Sequence, residues 1–523
     1  MVSYPFNYYQ TLSTIPRTGR TNISVQRVVC VSFFYLYREL LSWRSLLILP
    51  HFEDESILPI VSSPHYRWDN QKSMDTSNGS LLTAISAIST SYESRGQTDE
   101  SDLLNSAIAK ISPDDAITAA QTFGALVVTF LEHGQWNAAA DIGKLVVDAR
   151  IALLGPENQS TLTAMSNLAS AYWGQGRWAD AAELGRRVTA ARRRILGEEH
   201  PQTLTAMSNL ASAYSKQGLF SEAEALELQL LEVKGRTLGE QDPSTLSSIG
   251  NLAATYTSLG RYEDAERLER RVVERCEEIL GAEHASTLTW KSNLAVTFRE
   301  QGRLDEAVRL ESSVLEVRVA RLGRRNPLTL TSMANLATTY RDSGRWEEAE
   351  ELEMKVLENS KVVLGEDHPQ TLMAADNLAA TYRCQGRLAD AARLGTKAMT
   401  TMRRHLGEDH PLTLTSMANM ALTYQHQGRS PQAERLTLQV LQLMRKSLGE
   451  AHPHTLTTLA NLGAIYQSQG RWNDAEKVAE QTVRAREVVL GKEHPDTLAS
   501  MEDLMRVYRV LAADRTMQRA TMR

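Results

Sequence analysis

Apolar residues recur along this chain at the spacing of amphipathic helices. In 203–216 they are separated by three, three, one and three positions, and therefore share one helix face. They are Leu204, Met207, Leu210, Ala211 and Tyr214. We expect Thr203 to cap this helix and Gly218 to end it, since glycine readily takes the left-handed conformation. A second helix is predicted from about Ser221, closing at Leu238 and Gly239.

This two-helix pattern repeats every 42 residues without insertion or deletion. One asparagine marks each copy: Asn167, Asn209, Asn251, Asn293, Asn335, Asn377, Asn419 and Asn461. A tyrosine or phenylalanine, a glycine and an alanine keep the same register behind it. A fixed period of this length is typical of repeat proteins, in which each unit buries its faces against its neighbours. The sequence therefore predicts an all-α fold, an α-solenoid.

The order of residues within each unit is also that of a known repeat. Leu168 and Ala169 are followed by Tyr172, Gly176 and Ala181, an order that resembles the tetratricopeptide repeat. The 42-residue period and loops such as LGEDHPQTL at 364–372 resemble the kinesin light chain-like subclass of that family. Repeats of this subclass also form the C-terminal arrays of NTPase-linked sensor proteins. The resemblance implies a right-handed superhelix of antiparallel helix pairs with a concave groove.

The resemblance divides the chain into four parts. Residues 118–511 are expected to form about nine repeats and a C-terminal capping helix, with a tail at 512–523. Residues 76–117 are expected to form a degenerate helical cap. Residues 1–75 hold twelve of the thirty-two aromatic residues but show no repeat, so we expect a poorly ordered segment without an assigned function.

Composition excludes several classes of function. The net charge of −6 and the pI near 6.1 argue against a nucleic-acid-binding protein. The longest apolar run, VVCVSFFYLY at 28–37, is too short to span a membrane. Cys30, Cys276 and Cys384 are far apart and form no CxxC pair, which fits a reducing compartment. We therefore expect a soluble cytoplasmic protein that binds neither nucleic acid nor membrane.

Candidate chemistry is sparse. The sequence contains no GxxxxGK[ST], GxSxG or HExxH motif, so we expect no enzyme and no cofactor. Histidines do recur at one loop position: His200, His284, His368, His410, His452 and His494. Equivalent positions in stacked helical repeats lie about 8–10 Å apart, whereas zinc ligands lie about 2 Å from one ion. The histidines are therefore interpreted as turn residues rather than metal ligands.

The asparagine column is the candidate binding surface. The resemblance implies that these side chains line the concave groove and hold the backbone of a bound peptide with the donor and the acceptor of each amide. Alternatively, each asparagine bonds a neighbouring helix and aligns the repeats, or does both.

A second column, six residues after each asparagine, would set specificity. It reads Trp173, Ser215, Thr257, Arg299, Arg341, Arg383, Gln425 and Gln467. The three consecutive arginines predict a basic stripe on one flank of the groove, suited to an acidic peptide. Alternatively, they pair with Glu300, Asp342 or other carboxylates. The arginines that follow the turn glycines, such as Arg261 and Arg387, are expected to form ion pairs at helix ends or between repeats.

Together these features predict a non-enzymatic scaffold that binds an extended protein segment in the groove, as a kinesin light chain-like adaptor does. Its expected partner is a protein or peptide ligand, and the resemblance offers two further partners as alternatives, the kinesin heavy chain or an NTPase signalling protein. The alternative function is a sensor or oligomerisation arm of an NB-ARC/STAND-type signalling NTPase whose nucleotide-binding domain is missing from this chain.

Overall fold

The computed structural model describes residues 78–109, 111 and 116–521, with the side chains within these ranges described from residue 81 to residue 513. The segment 1–75, predicted to lack repeats, lies outside the described residues. Within the described part the chain forms 21 helices and no strand. The prediction of an all-α solenoid is confirmed.

The helices follow the predicted register. Four precede the asparagine-bearing repeats: α1 (Asn78–Ser94), α2 (Thr98–Ile108), α3 (Ala116–Glu132) and α4 (Trp136–Leu154). The first helices of repeats 1–8 are α5 (Gln159–Gly174), α7 (Pro201–Lys216), α9 (Pro243–Ser258), α11 (Ala285–Glu300), α13 (Pro327–Asp342), α15 (Pro369–Cys384), α17 (Pro411–His426) and α19 (Pro453–Ser468). The second helices are α6 (Trp178–Leu196), α8 (Phe220–Thr237), α10 (Tyr262–Leu280), α12 (Leu304–Leu322), α14 (Trp346–Leu364), α16 (Leu388–His405), α18 (Ser430–Ser447) and α20 (Trp472–Val489). The last helix, α21 (Pro495–Thr521), extends beyond the predicted end at residue 511.

Each first helix begins at a capped turn. His200 lies in an extended conformation before α7, its Nδ1 accepts a hydrogen bond from the backbone N–H of Gln202, and Pro201 takes the first helical position. Asn158, Asp242 and Asn326 cap α5, α9 and α13 in the same way. The prediction that Thr203 caps α7 is therefore wrong, because the imidazole three residues earlier supplies the acceptor.

The second helices are held to their neighbours by the turn arginines. The Arg387 guanidinium lies 4.0 Å from the centre of the Tyr382 ring and pairs with Asp390 on its own helix. It also pairs with Glu350 of the preceding repeat at 2.8 Å. Arg261, Arg303 and Arg471 reach back to the preceding repeat in the same manner. The predicted ion pairs between repeats are present.

After six repeats the chain meets its own earlier repeats. His452 Nε2 donates to the Lys216 carbonyl at 2.9 Å, although 236 residues separate them. His410 reaches the Gly174 carbonyl at 3.4 Å and His494 reaches that of Ser258 at 3.3 Å, each over the same separation. The starts of α17, α19 and α21 thus contact the ends of α5, α7 and α9. We call this set of contacts the seam.

The seam fixes the width of the superhelix. Six helix axes packed about 8–10 Å apart form a ring of about 9 Å radius. A helix with its side chains is about 10–12 Å wide, which leaves a bore of about 3–4 Å radius. In repeat 5, inward side chains of the first helix, such as Asn335 and Arg341, are buried within this turn.

Candidate functional site

The asparagine column marks the inward face of the first helices, which we call the trough. Its accessibility changes along the array. Asn167, Asn209 and Asn251 of repeats 1–3 are half-buried, as is Asn377. The asparagines of the other repeats are only 5–8% exposed: Asn293, Asn335, Asn419 and Asn461. By this measure the trough is partly open in repeats 1–3 and again at Asn377, and it is closed in repeats 4, 5, 7 and 8.

The three arginines predicted to form an exposed basic stripe are buried. Arg299, Arg341 and Arg383 are 4–6% exposed. Arg341 Nη1 donates to Glu353 Oε1 at 2.8 Å and also lies 3.4 Å from the Asn377 carbonyl of the next repeat. The Arg341 guanidinium therefore joins two repeats from the inside.

The other two arginines have internal partners as well. Arg383 Nη1 donates to the Asn419 carbonyl at 3.3 Å. Arg299 pairs with Glu300 at 2.9 Å and lies 3.6 Å from Asp342. The alternative of pairing with carboxylates holds for Arg299 and Arg341, and the exposed stripe is a wrong prediction. These arginines are buried because the superhelix is tight and places their column on its inner side.

The last two residues of the column lie at the ends of their helices. Gln425 and Gln467 are half-buried, next to the turns after α17 and α19. Ligand contact by these glutamines or by the asparagines stays a prediction.

Buried carboxylates complete the closed part of the trough. Glu269, Glu311 and Glu353 project inward from second helices and are 0–2% exposed. Glu269 Oε2 accepts a hydrogen bond of 2.6 Å from the Thr297 hydroxyl of the next repeat. Burial raises the pKa of Glu311 to about 7, although the charge of Arg299 opposes the shift. Sequence reasoning missed this ladder, whose one signal was a glutamate directly after a core leucine in four successive repeats.

Asp376 is a further buried carboxylate and lies on the first helix α15. It is 2% exposed, and burial raises its pKa to about 7 against the opposing hydrogen bond from Ser416 and the charge of Arg383. The carboxylates and arginines of repeats 3–6 together form a buried polar core between neighbouring repeats.

The open part of the trough has different walls. Small residues surround Asn209 there, among them Ser166, Ala169, Ser170 and Ala206. They enclose a cavity of about 20 Å³, which is enough for one water molecule. Amide and hydroxyl groups beside small side chains can hydrogen-bond the main chain of a segment laid against them.

The described residues offer no metal cluster: no group of three or more His, Cys, Asp or Glu side chains among them could hold an ion. The histidines that recur at one loop position, such as His200, His410 and His452, cap the helices that follow them. This agrees with their interpretation as turn residues. None of the described helices combines the length and the apolar character needed to cross a membrane.

Comparisons with known proteins agree with this architecture. The tetratricopeptide repeat family matches seven segments of the chain: 118–194, 160–236, 241–320, 328–404, 394–446, 416–487 and 454–514. No match is found among curated proteins.

Three solved structures illustrate the similarity. A Podosopora anserina protein named for kinesin light chain, with nearly identical TPR-like repeats, is 32% identical over 39% of this chain and 96% of its own, with a TM-score of 0.34. BtubC (BKLC) from P. vanneervenii is 21% identical over 44% of this chain and 92% of its own, with a TM-score of 0.38. A STAND protein with a tetratricopeptide repeat sensor from Pyrococcus horikoshii is 15% identical over 72% of this chain and 54% of its own, with a TM-score of 0.39.

Proposed function

This chain belongs to the tetratricopeptide repeat family, and we propose that it is a non-enzymatic scaffold that binds an extended segment of a partner protein in its trough. The binding site in this proposal is the part of the trough in repeats 1–3. Its contact residues are Asn167, Asn209 and Asn251.

The difference in burial along the asparagine column carries the proposal. Asn293, Asn335, Asn419 and Asn461 are buried, whereas three consecutive asparagines, Asn167, Asn209 and Asn251, retain contact with solvent, as does the isolated Asn377. A half-buried amide can exchange its water for a ligand without separating helices. A buried amide can do so only if the superhelix opens.

The spacing of these asparagines suits an extended chain. Neighbouring repeats lie about 8–10 Å apart, and an extended chain rises about 3.3 Å per residue, so one repeat spans about three residues. Three amides would then hold main-chain groups over about seven residues of the partner. Contacts to the main chain hold a segment with little dependence on its side chains.

The proposed segment has no acidic preference, since the arginine column lies in the closed part. The corresponding residues beside the open part are Trp173, Ser215 and Thr257. The partner is therefore proposed to be selected by an extended, slender segment rather than by its charge.

The test is selection of displayed random 12-residue peptides on the full chain. Each peptide hydrogen bond contributes about 0.5–1.5 kcal/mol, so the N167A/N209A variant should bind an enriched peptide about tenfold or more weakly. N473A, which removes an exposed asparagine from an outer helix, should bind like the wild type. The proposal fails if no peptide is enriched, or if N167A/N209A binds as tightly as N473A.

A further inference from the structure

A cleft lies on the side of the array away from the trough, between the second helices α10 and α12. Its volume is about 490 Å³, within the range of about 300–1,000 Å³ that is usual for ligand sites. Val273, Leu294 and Phe298 form its apolar floor and are 4–9% exposed. The first helix α11 therefore lies beneath the cleft, and the two second helices form its walls.

A bond that crosses the corresponding groove in several other repeats is replaced at this cleft by two short side chains. In four other repeats, a long polar side chain of the second helix bonds a glutamate 31 residues earlier. These pairs are Gln229 with Glu198 at 2.6 Å, Arg271 with Glu240, Lys397 with Glu366 at 3.3 Å, and Gln439 with Glu408 at 2.7 Å. The equivalent residues at the cleft are Ser313 and Ala282, whose side chains are too short to meet.

A charged residue at a core position closes one end of the cleft. Lys291 stands where the other repeats carry Met165, Met207, Ile249, Met333, Ala375, Met417 and Leu459. Its Nζ pairs with Glu277 Oε1 at 2.6 Å, at the end of the cleft nearest Ser313. Lys291 therefore places an ion pair, rather than a purely apolar side chain, at this end of the cleft.

Both walls of the cleft carry charges of both signs. Glu306 and Arg309 stand on α12, and Arg270, Glu274 and Glu277 stand on α10. At the far end the Arg270 guanidinium lies 5.1 Å from the centre of the Phe298 ring. The floor runs eight residues along α11, from Lys291 to Phe298, which is about 10 Å or two helical turns. The cleft is thus short and apolar at its base, and charged side chains of both signs line its rims.

We propose that this cleft docks an amphipathic helix of a partner protein. The partner helix places one bulky apolar side chain on Val273, Leu294 and Leu310. An acidic side chain one turn away, at a spacing of three or four residues, pairs with Arg309, because that spacing puts both groups on one helix face. A groove between two parallel helices matches the ridges of a third helix.

The test uses a displayed library of 18-residue helical peptides randomised on one face and selected on the full chain. An enriched peptide is then titrated against three variants. A282E/S313R installs the pair found at Glu240 and Arg271, and should weaken binding at least tenfold by filling the cleft. S313A is the matched control, since the Ser313 hydroxyl bonds only its own helix at the Leu310 carbonyl, and it should bind like the wild type.

The third variant tests the charge pairing directly. R309E should weaken a peptide that carries the acidic residue at least tenfold, and replacing that residue by lysine in the peptide should restore binding. This arm does not depend on the folding of A282E/S313R. The proposal is overturned if no helical peptide is enriched, if enriched peptides bind A282E/S313R as tightly as S313A, or if the lysine peptide fails to restore binding to R309E.

Discussion

Glu311 illustrates how the closed turn acts on a single residue. Its carboxyl group is 2% exposed, and burial raises its pKa from the ordinary 4.5 to about 7. The folded chain therefore holds a proton there that the unfolded chain releases at lower pH. By linkage, this group's contribution to stability is complete below about pH 4.5 and is lost as the pH rises through 7.

Replacing this carboxyl group by an amide should remove that pH dependence. E311Q should be more stable than the wild type by about 1–3 kcal/mol at pH 8 and nearly equal to it at pH 4.5. The measurement is urea unfolding of both proteins at the two pH values. E316Q, which changes an exposed glutamate of the same helix, is the control. An equal difference between E311Q and wild type at both pH values would contradict the burial argument.

At the scale of the helix, histidine performs two tasks at the seam. In His452, Nδ1 accepts from the backbone N–H of His454 and caps α19, while Nε2 donates to the Lys216 carbonyl one turn away. All three seam positions are histidines, His410, His452 and His494. The six repeat starts outside the seam use histidine, asparagine or aspartate. An asparagine can cap a helix but is too short to bridge the turns.

Asparagine substitution therefore separates the two tasks. H452N should keep the cap but lose the bond across the seam, which costs about 1 kcal/mol. H284N changes the same cap outside the seam and should leave stability within about 0.5 kcal/mol of wild type. Hydrogen exchange of the amides at the end of α7 and the start of α19 reports the difference. Equal exchange in H452N and H284N would show that the seam bond adds no stability.

The same histidine makes the seam sensitive to acid. Burial lowers the pKa of His452 to about 4 from the ordinary 6.5, although its bond to the Lys216 carbonyl opposes the shift. The neighbouring Lys216 charge also lowers the pKa, and the Trp178 ring stacks on the imidazole. The contribution of the neutral imidazole is therefore present above about pH 6.5 and is lost as the pH falls toward 4.

At the scale of the whole molecule, the sequence was enough for the fold. The unbroken 42-residue register fixes both helices of each repeat, and the turn glycines fix their ends. The sequence predicts the cap of α7 three residues late, at Thr203, because threonine is a common capping residue and histidine is not. This error is local, because it shifts the start of one helix and leaves the buried and exposed faces of that helix unchanged.

The superhelix radius could not be read from the sequence. It results from small rotations between repeats that accumulate until the turn closes after six of them, and no single residue encodes the sum. The inward direction of Asn335 and Arg341 follows from helical spacing, but their burial depends on that closure. Predicting the direction of a side chain is therefore possible where predicting its accessibility is not.

The closed turn is the central claim, because it accounts for the burial of Arg299, Arg341 and Arg383. The most direct test is a distance measurement by electron paramagnetic resonance between spin labels at Gln217 and Ala451, which flank the bond from His452 to Lys216. The labels are placed in a chain without Cys30, Cys276 and Cys384. The closed turn predicts one narrow distribution at short distance. A broad distribution at long distance would show an open superhelix and would contradict the account.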